Sequence, residues 1–512
     1  MTSRYRFREL ILALALALGG CAAKSSDGNS AGSGNSSAAA GNGSNTGGNI
    51  GIGGAIVTDP PVDAHRCSDP TQLRCTKVDC PADSSPSTTS VSGTVYDPAG
   101  RVPLYNAVVY VVQDPETDLP TLGERAACEE CKAHFPPDPV LAVAVTDAKG
   151  NFRVTDMPTG EGIQLVIQLG KWRRVIDLPR IEPCTDTKLD ADTTRLPRNS
   201  TEGHLPKIAV TTGASDALEC LLKKIGIDPD EFTPDTDDGR VNLFAGFEAA
   251  TNMISRGQSV ELTSAQELWA DSDRMLDYDM VLMSCEGDDN LWNSPDDDEP
   301  PPPGWERPVD MHLEVRKYAD MGGRIFGSHW HHRWINSDNV TPENPYHDVA
   351  NFSRSAKDIG EVTVSIDNTF PKGAAFKQWL HNVGASPTPG LLDLVMAEHS
   401  VDSVVPGVAQ RWIYGTDPGG EVGENRVPEM VQYFSFTTPV GAPECGRMVF
   451  SDVHVSFGGG DYRAVPFPDR CAASPGDELS PQEKALEFML FDLSSCIQKE
   501  TDEVPMPVTV VK

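Results

Sequence analysis

The sequence is poor in basic residues: 42 lysines and arginines stand against 75 aspartates and glutamates in 512 residues, a formal net charge of −33. A surface this acidic repels phosphate groups, which excludes nucleic-acid binding as a function. Apolar runs of about 20 residues, the length that spans a bilayer as a helix, are absent beyond the N-terminal leader, which excludes a polytopic membrane protein. A chain of this length exceeds one ordinary hydrophobic core, so two or more domains are expected.

The N-terminus has the features of a secretory signal peptide over residues 1–20. Three arginines within the first eight residues form a basic start, and a short Leu/Ala stretch ends at Leu18. The sequence Leu18-Gly-Gly-Cys21 resembles a bacterial lipobox, in which the cysteine receives diacylglycerol; an ordinary cleavage site next to a cysteine is the alternative. The resemblance implies an exported protein that Cys21 anchors in the cell envelope, with the outer membrane as the expected membrane.

The next segments predict a tether rather than a folded domain. Residues 21–60 are almost wholly Ser, Gly, Asn and Ala, a composition too poor in apolar groups to fold. A flexible chain of that length has an end-to-end distance of roughly 35 Å. Residues 61–90 are predicted to be an extended, cysteine-containing segment, and residues 499–512 a C-terminal tail.

The chain has twelve cysteines, of which eleven remain once the lipobox cysteine is set aside. An exported chain meets an oxidising compartment, so most of the eleven are expected in disulfides. Because eleven is odd, at least one thiol must stay outside any pair within the chain. Cys128 and Cys131 form a lone CxxC motif, which is compatible with a zinc or redox site. Neither a second CxxC nor a thioredoxin-like context accompanies it, so structural disulfides are the favoured interpretation.

Residues 91–190 contain short strand-like segments between turns rich in Gly, Pro and Asp, a pattern typical of a β-sandwich. The segments GTVYDPAGRVPLYNAVVYV (93–111) and AVTDAKGNFRVTDMPTG (144–160) resemble the carboxypeptidase-regulatory-like, transthyretin-like (prealbumin-like) sandwich, a carbohydrate-binding-like fold. The resemblance implies a spacer, a stabiliser or a binding module, and it does not imply catalysis. Within this domain the basic, aromatic segment 171–174 is either a sugar- or partner-contacting surface or an ordinary strand.

Residues 205–498 alternate between strand-like and helix-like segments, which predicts an α/β domain with a doubly wound parallel sheet. The expected fold class is therefore multidomain, a β-sandwich followed by a flavodoxin- or amidotransferase-like α/β domain. The predicted strands include 207–212, 241–244, 278–285 and 324–328, and the predicted helices include 216–225, 266–276, 311–321 and 480–495. Ligand sites in such sheets lie at the carboxyl ends of the strands.

Three segments at or near predicted strand ends carry most of the candidate chemistry: YDMVLMSCEGD (278–288), YADMGGRIFGSHWHH (318–332) and GRMVFSDVHV (446–455). Together they resemble the class I glutamine-amidotransferase-like fold, most nearly its ThuA-like branch. The resemblance implies that His329 and His454 occupy two histidine positions of that branch. Where an amidotransferase has its nucleophilic cysteine, this chain has Ser328 followed by His329, so glutamine hydrolysis is not expected.

Three interpretations of these residues stay open. In the first, Ser328 is a nucleophile with His454 as its base and His329 as a further catalytic candidate, although the second glycine of a GxSxG elbow is missing. In the second, His329, His331 and His454 bind zinc, because side chains two apart on an extended strand face the same way and imidazole nitrogens suit that metal.

In the third interpretation the strand ends form a polar pocket that binds a small molecule or a protein partner. Its candidate binding residues are Cys285, Glu286, Trp330 and Asp452, of which Glu286 or Asp452 would also complete a zinc site. The sequence therefore predicts a lipid-anchored envelope protein that binds carbohydrate or another envelope ligand. A metal-dependent or Ser/His hydrolase acting on a sugar or an amide is the alternative, and zinc is the cofactor that the residues suggest.

Overall fold

The computed structural model of the chain describes residues 69, 71–129, 131–287, 311–336, 344–353, 358–418, 429–455, 465–473, 478–498, 500, 506, 507 and 509. The predicted signal peptide, Cys21 and the tether lie outside these residues, so those interpretations stay predictions. None of the helices in the described part of the chain combines the length and the apolar character that crossing a bilayer requires.

Two sheets that share a hydrophobic core form the N-terminal part of the fold. Its strands are β1 (Ser90–Thr94), β2 (Val108–Val111), β3 (Ala142–Val145), β4 (Asn151–Thr155), β5 (Gln164–Leu169), β6 (Trp172–Asp177) and β7 (Asp186–Lys188). One sheet has the order β4-β1-β7 and the other β3-β2-β5-β6. Apolar side chains from both sheets, such as Val91, Val109 and Ile167, belong to one buried cluster. This arrangement agrees with the predicted β-sandwich.

The described residues beyond the sandwich form an α/β part built on a ten-stranded sheet with two smaller strand pairs. Its strands are β8 (Ile208–Thr211), β9 (Phe232–Pro234), β10 (Val241–Phe244), β11 (Asn252–Ser255), β12 (Gln258–Glu261), β13 (Met280–Met283), β14 (Arg324–Ser328), β15 (Ala350–Phe352), β16 (Asp358–Ile366), β17 (Leu391–Glu398), β18 (Val401–Val404), β19 (Ala409–Gly415), β20 (Met430–Thr438) and β21 (Gly446–Ser451).

The helices are short in the N-terminal half and longer toward the C-terminus. They are α1 (Pro115–Asp118), α2 (Ala191–Thr194), α3 (Leu218–Lys224), α4 (Ala265–Trp269), α5 (Ser272–Met275), α6 (Met311–Asp320), α7 (Pro371–Asn382) and α8 (Pro481–Ser494). Helix α8 begins with a capping box, in which the Ser480 hydroxyl accepts from the Glu483 N–H and the Glu483 carboxylate accepts from the Ser480 N–H.

The large sheet is mixed, with the strand order β17-β16-β19-β20-β21-β14-β13-β8-β10-β9. The run from β21 to β9 is parallel, as predicted, whereas β17, β16, β19 and β20 are antiparallel to their neighbours. The prediction of a wholly parallel sheet is corrected for these four strands. In β17, buried residues alternate with exposed ones over Leu391–Val395, as in an antiparallel strand with one face in water.

The sandwich and the α/β part share one buried contact region. Trp172 of β6 packs against Phe491 of α8 with ring centroids 5.6 Å apart, and Lys171 Nζ lies 2.5 Å from Asp279 Oδ1. Lys171 and Trp172 are each only 2% exposed. The interpretation of segment 171–174 as a sugar-contacting surface is therefore corrected for these two side chains, which belong to the contact between the two parts.

Disulfides tie distant parts of the chain together. They join Cys80 to Cys184, Cys128 to Cys445 and Cys220 to Cys471, and Cys75 and Cys496 are also disulfide-bonded. Because Cys128 pairs with Cys445 rather than with its CxxC neighbour, the motif serves as structure and not as a redox pair. Among the described cysteines, Cys285 is free and buried. Several structural disulfides in one chain are typical of an exported protein.

Candidate functional site

A cysteine and two histidines meet at the carboxyl edge of the parallel strands. Cys285 lies two residues after β13, His329 directly after β14 and His454 three residues after β21. One donor atom from each lies within 4.8 Å of the other two. Cys285 Sγ is 3.4 Å from His329 Nδ1, and the rings of His329 and His454 are 5.2 Å apart, edge to face. The three residues, called the Cys-His-His cluster below, are each at most 6% exposed.

Sheet register and one strained residue explain this convergence. Strand β14 lies between β13 and β21, with Gly327 opposite both Met283 and Phe450, so the chain leaves all three strands at one edge. His329 has a φ of 44°, in the left-handed region, which costs a non-glycine residue of order 1–3 kcal/mol. This conformation turns the chain sharply from β14 into the 3-10 helix His329–Trp334. Strain of this kind is characteristic of functional sites.

Hydrogen bonding fixes the tautomer of His454 and leaves one of its nitrogens available. Its Nδ1 lies 3.1 Å from the Met396 carbonyl oxygen, which can only accept, so Nδ1 carries the proton. In the neutral ring the lone pair is then on Nε2, which is buried and has no hydrogen-bond partner among the described residues. A histidine that donates one N–H to a backbone carbonyl and keeps the other nitrogen free is the usual arrangement of a metal ligand.

His329 is a second neutral imidazole with a free nitrogen. Burial, with a smaller contribution from the neighbouring histidines, lowers its pKa to about 2, so the ring is uncharged at neutral pH. Its Nε2 also lacks a hydrogen-bond partner among the described residues and lies 3.8 Å from Glu398 Oε2. Two adjacent buried nitrogens without partners are costly unless a ligand satisfies them.

The Cys285 thiol and the nearby Glu398 carboxyl both have raised pKa values. Burial, reinforced by the charge of Asp216, raises the pKa of Cys285 to about 12. The thiol is therefore protonated in the absence of a cation and is a poor nucleophile. Burial likewise raises the pKa of Glu398 to about 7. A divalent cation deprotonates a coordinating thiol, and one sulfur, two imidazole nitrogens and a carboxylate oxygen are a ligand set that zinc accepts.

Ser328 does not have the surroundings of a nucleophile. It is fully buried, and its hydroxyl donates to Asp216 Oδ2 at 2.6 Å. The Nδ1 of His454 is bonded to a backbone carbonyl instead. The expectation of a Ser328 nucleophile with His454 as its base is therefore corrected: a carboxylate, not an imidazole, accepts the Ser328 proton.

His331 lies apart from the cluster. Its Nε2 is 3.0 Å from the Ser284 carbonyl oxygen, and its Nδ1 accepts from Trp334 Nε1 at 2.9 Å, so neither nitrogen is free for a metal. The prediction that His331 is a zinc ligand is therefore wrong, and Cys285 rather than His331 lies beside His329 and His454. The prediction assumed an extended strand, but successive residues of the 3-10 helix point about 120° apart, which separates residues i and i+2.

Of the other predicted binding residues, one lies beside the cluster and two hydrogen-bond to residues outside it. Trp330 is half-buried beside His329, with ring centroids 5.2 Å apart. Glu286 accepts from the Phe247 N–H at 3.0 Å. Asp452 is fully buried and accepts from the backbone N–H and the hydroxyl of Ser400 at 2.9 and 3.0 Å. These bonds engage both oxygens of the Asp452 carboxylate, which stays a predicted binding residue.

Two residues of the site were not predicted from the sequence. Asp216 follows β8, so its position near a strand end was a usable signal. Glu398 ends β17, one of the antiparallel strands that the α/β alternation did not predict. Only the tertiary fold brings that strand end beside His329.

Comparisons with known proteins leave the chain without an assigned family. No sequence profile of a known family matches it, and no curated protein matches it. A ThuA-like protein from Bacteroides uniformis is similar in structure over 54% of this chain and 96% of its own, at 10% identity and a TM-score of 0.26. A chain of a type II cohesin–X-dockerin complex from Acetivibrio cellulolyticus is similar over 29% of this chain and 78% of its own, at 17% identity and a TM-score of 0.14. Likenesses at these TM-scores define neither the fold nor the function of this chain.

Proposed function

We propose that the α/β part of this chain binds a transition-metal ion, Zn²⁺ by its donor set, through Cys285, His329 and His454. The observation that carries the proposal is the cluster of three buried donor atoms within 4.8 Å of one another. The lack of hydrogen-bond partners, within the described part of the chain, for the Nε2 atoms of both histidines supports it. Thiolate and imidazole ligands together favour zinc over calcium or magnesium, which prefer oxygen.

The metal would serve a binding function in the cell envelope. Three protein ligands leave a fourth position on a tetrahedral ion, which is available to Glu398 or to an oxygen of a bound molecule. The half-buried Trp330 beside His329 offers an aromatic face of the kind that stacks on sugars. We therefore favour a carbohydrate or another envelope molecule as the ligand, with the α/β part an amidotransferase-like domain that lacks glutaminase chemistry and the sandwich a prealbumin-like support.

A hydrolase is the second candidate, and the position of Glu398 favours it. A carboxyl whose pKa burial raises to about 7 is suited to act as a general base near neutral pH. Beside a zinc ion it would accept a proton from an attacking water, and the substrate would be a sugar or an amide.

Metal analysis of the full chain purified in detergent tests the metal site. We expect stoichiometric zinc after dialysis, and, with Co²⁺ in its place, a near-ultraviolet thiolate-to-metal absorption. Cys285→Ser is expected to abolish that absorption and His454→Ala to remove the stoichiometric metal, because each deletes a ligand. His347→Ala is the matched control, since its side chain is half exposed and remote in sequence from the cluster residues. A wild-type chain that stays metal-free in excess zinc would contradict the proposal.

We also propose that diacylglycerol on Cys21 anchors the chain to the membrane. Cys21→Ser is expected to move the protein from the membrane fraction to the soluble fraction, because anchoring depends on the acyl chains attached there. Detergent-phase partitioning measures the change. Cys285→Ser, which keeps the lipobox-like sequence, should stay in the detergent phase. Equal partitioning of Cys21→Ser and wild type would refute the lipid anchor.

A further inference from the structure

We propose that Asp216 is the positioning residue of the Cys-His-His cluster and sets its affinity for the metal. The proposal rests on the metal-binding function proposed above. Asp216 is fully buried and lies in the loop between β8 and α3, at the same sheet edge as the cluster. It is not a ligand in this arrangement. Its hydrogen bonds instead go directly to one of the three candidate ligands and to a residue adjacent to each of the other two.

The Asp216 carboxylate joins the segments that carry the two histidines. Its Oδ2 accepts from the Ser328 hydroxyl at 2.6 Å, and Ser328 directly precedes His329. Its Oδ1 accepts from the Val455 N–H at 2.9 Å, and Val455 directly follows His454. One side chain therefore fixes the ends of β14 and β21 relative to each other at the point where the imidazoles emerge.

The backbone of the same loop fixes the third ligand. The N–H groups of Ser215 and Asp216 both donate to the Cys285 carbonyl, at 3.0 and 3.1 Å. Gly213 is required for this close approach, because a Cβ atom there would lie 2.1 Å from the same carbonyl oxygen. The loop backbone thus hydrogen-bonds to the cysteine of the cluster, while the Asp216 carboxylate hydrogen-bonds to the residues adjacent to both histidines.

The loop is also held from its far side. The Arg470 guanidinium donates to the carbonyl oxygens of Gly213 and Asp216, at 2.5 and 3.1 Å. The residue after Arg470 is Cys471, whose disulfide with Cys220 ties this segment to α3. Asp216 therefore has little freedom to move, so the geometry that it imposes on the three ligands is rigid.

This arrangement matters because the three donors come from different strand ends. A metal site binds tightly only when its ligands are held close to the coordinating geometry before the ion arrives. The charge of Asp216 also lies near enough to influence the Cys285 thiol, so it would favour a bound cation in this dry environment. Residues that orient ligands in this way typically contribute 10–100-fold to metal affinity.

Asp216→Asn in the full chain tests the proposal. The amide keeps the size of the carboxylate but cannot accept both the Ser328 and the Val455 hydrogen bonds. We expect Zn²⁺ affinity, measured by competition with a chromophoric chelator, to fall about 10–100-fold, and the Co²⁺ spectrum to lose its tetrahedral intensity.

Glu231→Gln is the matched control. Glu231 is a buried carboxylate that accepts from the Ser200 N–H and hydroxyl and from the Arg240 N–H, at 2.6, 2.8 and 3.0 Å. It directly precedes β9, so it lies at the opposite end of the sheet from the cluster. The control should lose stability without losing metal affinity, whereas a merely structural role for Asp216 would make the two variants behave alike.

Each outcome decides the proposal. Unchanged Zn²⁺ affinity in Asp216→Asn, with wild type binding the metal, overturns the positioning role alone; a wild type that binds no metal overturns the proposed function as well. If Asp216→Asn does not fold, Ser328→Ala decides instead, because it deletes only one of the two carboxylate bonds. A weaker metal affinity in folded Ser328→Ala supports the role, and an unchanged one overturns it.

Discussion

Replacing Asp279 with alanine is expected to lower the free energy of unfolding by about 3–5 kcal/mol. The Asp279 carboxylate pairs with Lys171 Nζ at 2.5 Å, and each side chain is only 3% exposed. Its second oxygen accepts from the Lys207 N–H at 2.8 Å. Without the carboxylate, the ammonium of Lys171 remains buried, and its remaining partners among the described residues are the carbonyl oxygens of Gly123 and Arg125 and the more distant Glu129. An incompletely compensated buried charge is among the most destabilising changes.

Urea unfolding under non-reducing conditions measures this effect. The double variant Lys171→Met/Asp279→Leu should recover most of the lost stability, because apolar pairs often replace buried ion pairs without loss. Arg180→Ala is the surface control: its partners Glu161 and Glu182 are exposed, so its ion pairs are screened by water and contribute little to stability. An Asp279→Ala variant as stable as Arg180→Ala would show that water reaches this contact.

The Lys171–Asp279 pair is one part of a contact that makes the sandwich inseparable from the α/β part. Tyr105 stacks on Phe488 with ring centroids 6.0 Å apart, and Trp379 Nε1 donates to the Pro103 carbonyl at 2.6 Å. The Cys128–Cys445 disulfide crosses the same boundary. The sandwich and the α/β part therefore pack as one unit, and any ligand surface of the sandwich must lie away from this contact.

Local sequence signals were sufficient for the elements that neighbouring residues define. Strands β10 and β14 have the predicted bounds, and each contains a pair of adjacent apolar residues that the strand buries. Helix α8 begins where the Ser480–Glu483 capping box requires. The antiparallel strands were not predicted, because their direction depends on which neighbour they pair with and not on their own composition.

The same distinction applies to the candidate site. His329 and His454 follow strands that could be recognised, so their convergence could be predicted from the rule for parallel strand ends. His331 was misplaced because the chain turns into a 3-10 helix at His329, where a positive φ for a histidine has no sequence signature. Glu398 reaches the cluster from a strand whose position only tertiary packing determines.

The free energy of unfolding is also expected to respond to two carboxyl groups buried at the contact between the two parts. Glu487 of α8 is fully buried, and neither of its carboxyl oxygens has a hydrogen-bond partner among the described residues. Asp97, in the loop after β1, accepts from the Arg101 and Val102 N–H groups with one oxygen. Burial raises the pKa of Asp97 to about 6. Burial and the charge of Asp97 raise the pKa of Glu487 well above its usual value, against the opposing charges of Lys484 and Arg101.

The sign of the pH dependence follows from these directions. A carboxyl whose pKa is raised by folding binds its proton more tightly in the native state, so its stabilising contribution is complete below about pH 4 and is lost as the pH rises through the native pKa. For Asp97 the change in pKa from 3.8 to about 6 corresponds to a loss of about 3 kcal/mol in the free energy of unfolding by pH 8. Glu487 contributes in the same direction at higher pH.

Glu487→Gln isolates this effect from the other titrating groups of the chain. Glutamine resembles the protonated glutamic acid, so the variant and wild type should be almost equally stable at pH 4–5. The variant should become progressively more stable than wild type as the pH rises to 8, because the wild-type glutamate ionises readily in the unfolded chain and only at a cost in the folded one. Glu202→Gln should show the opposite slope, since hydrogen bonds from Arg195 lower the pKa of Glu202 to about 2 and its carboxylate stabilises the fold at neutral pH. A stability difference between Glu487→Gln and wild type that does not change from pH 4 to pH 8 would mean that folding does not raise the pKa of Glu487.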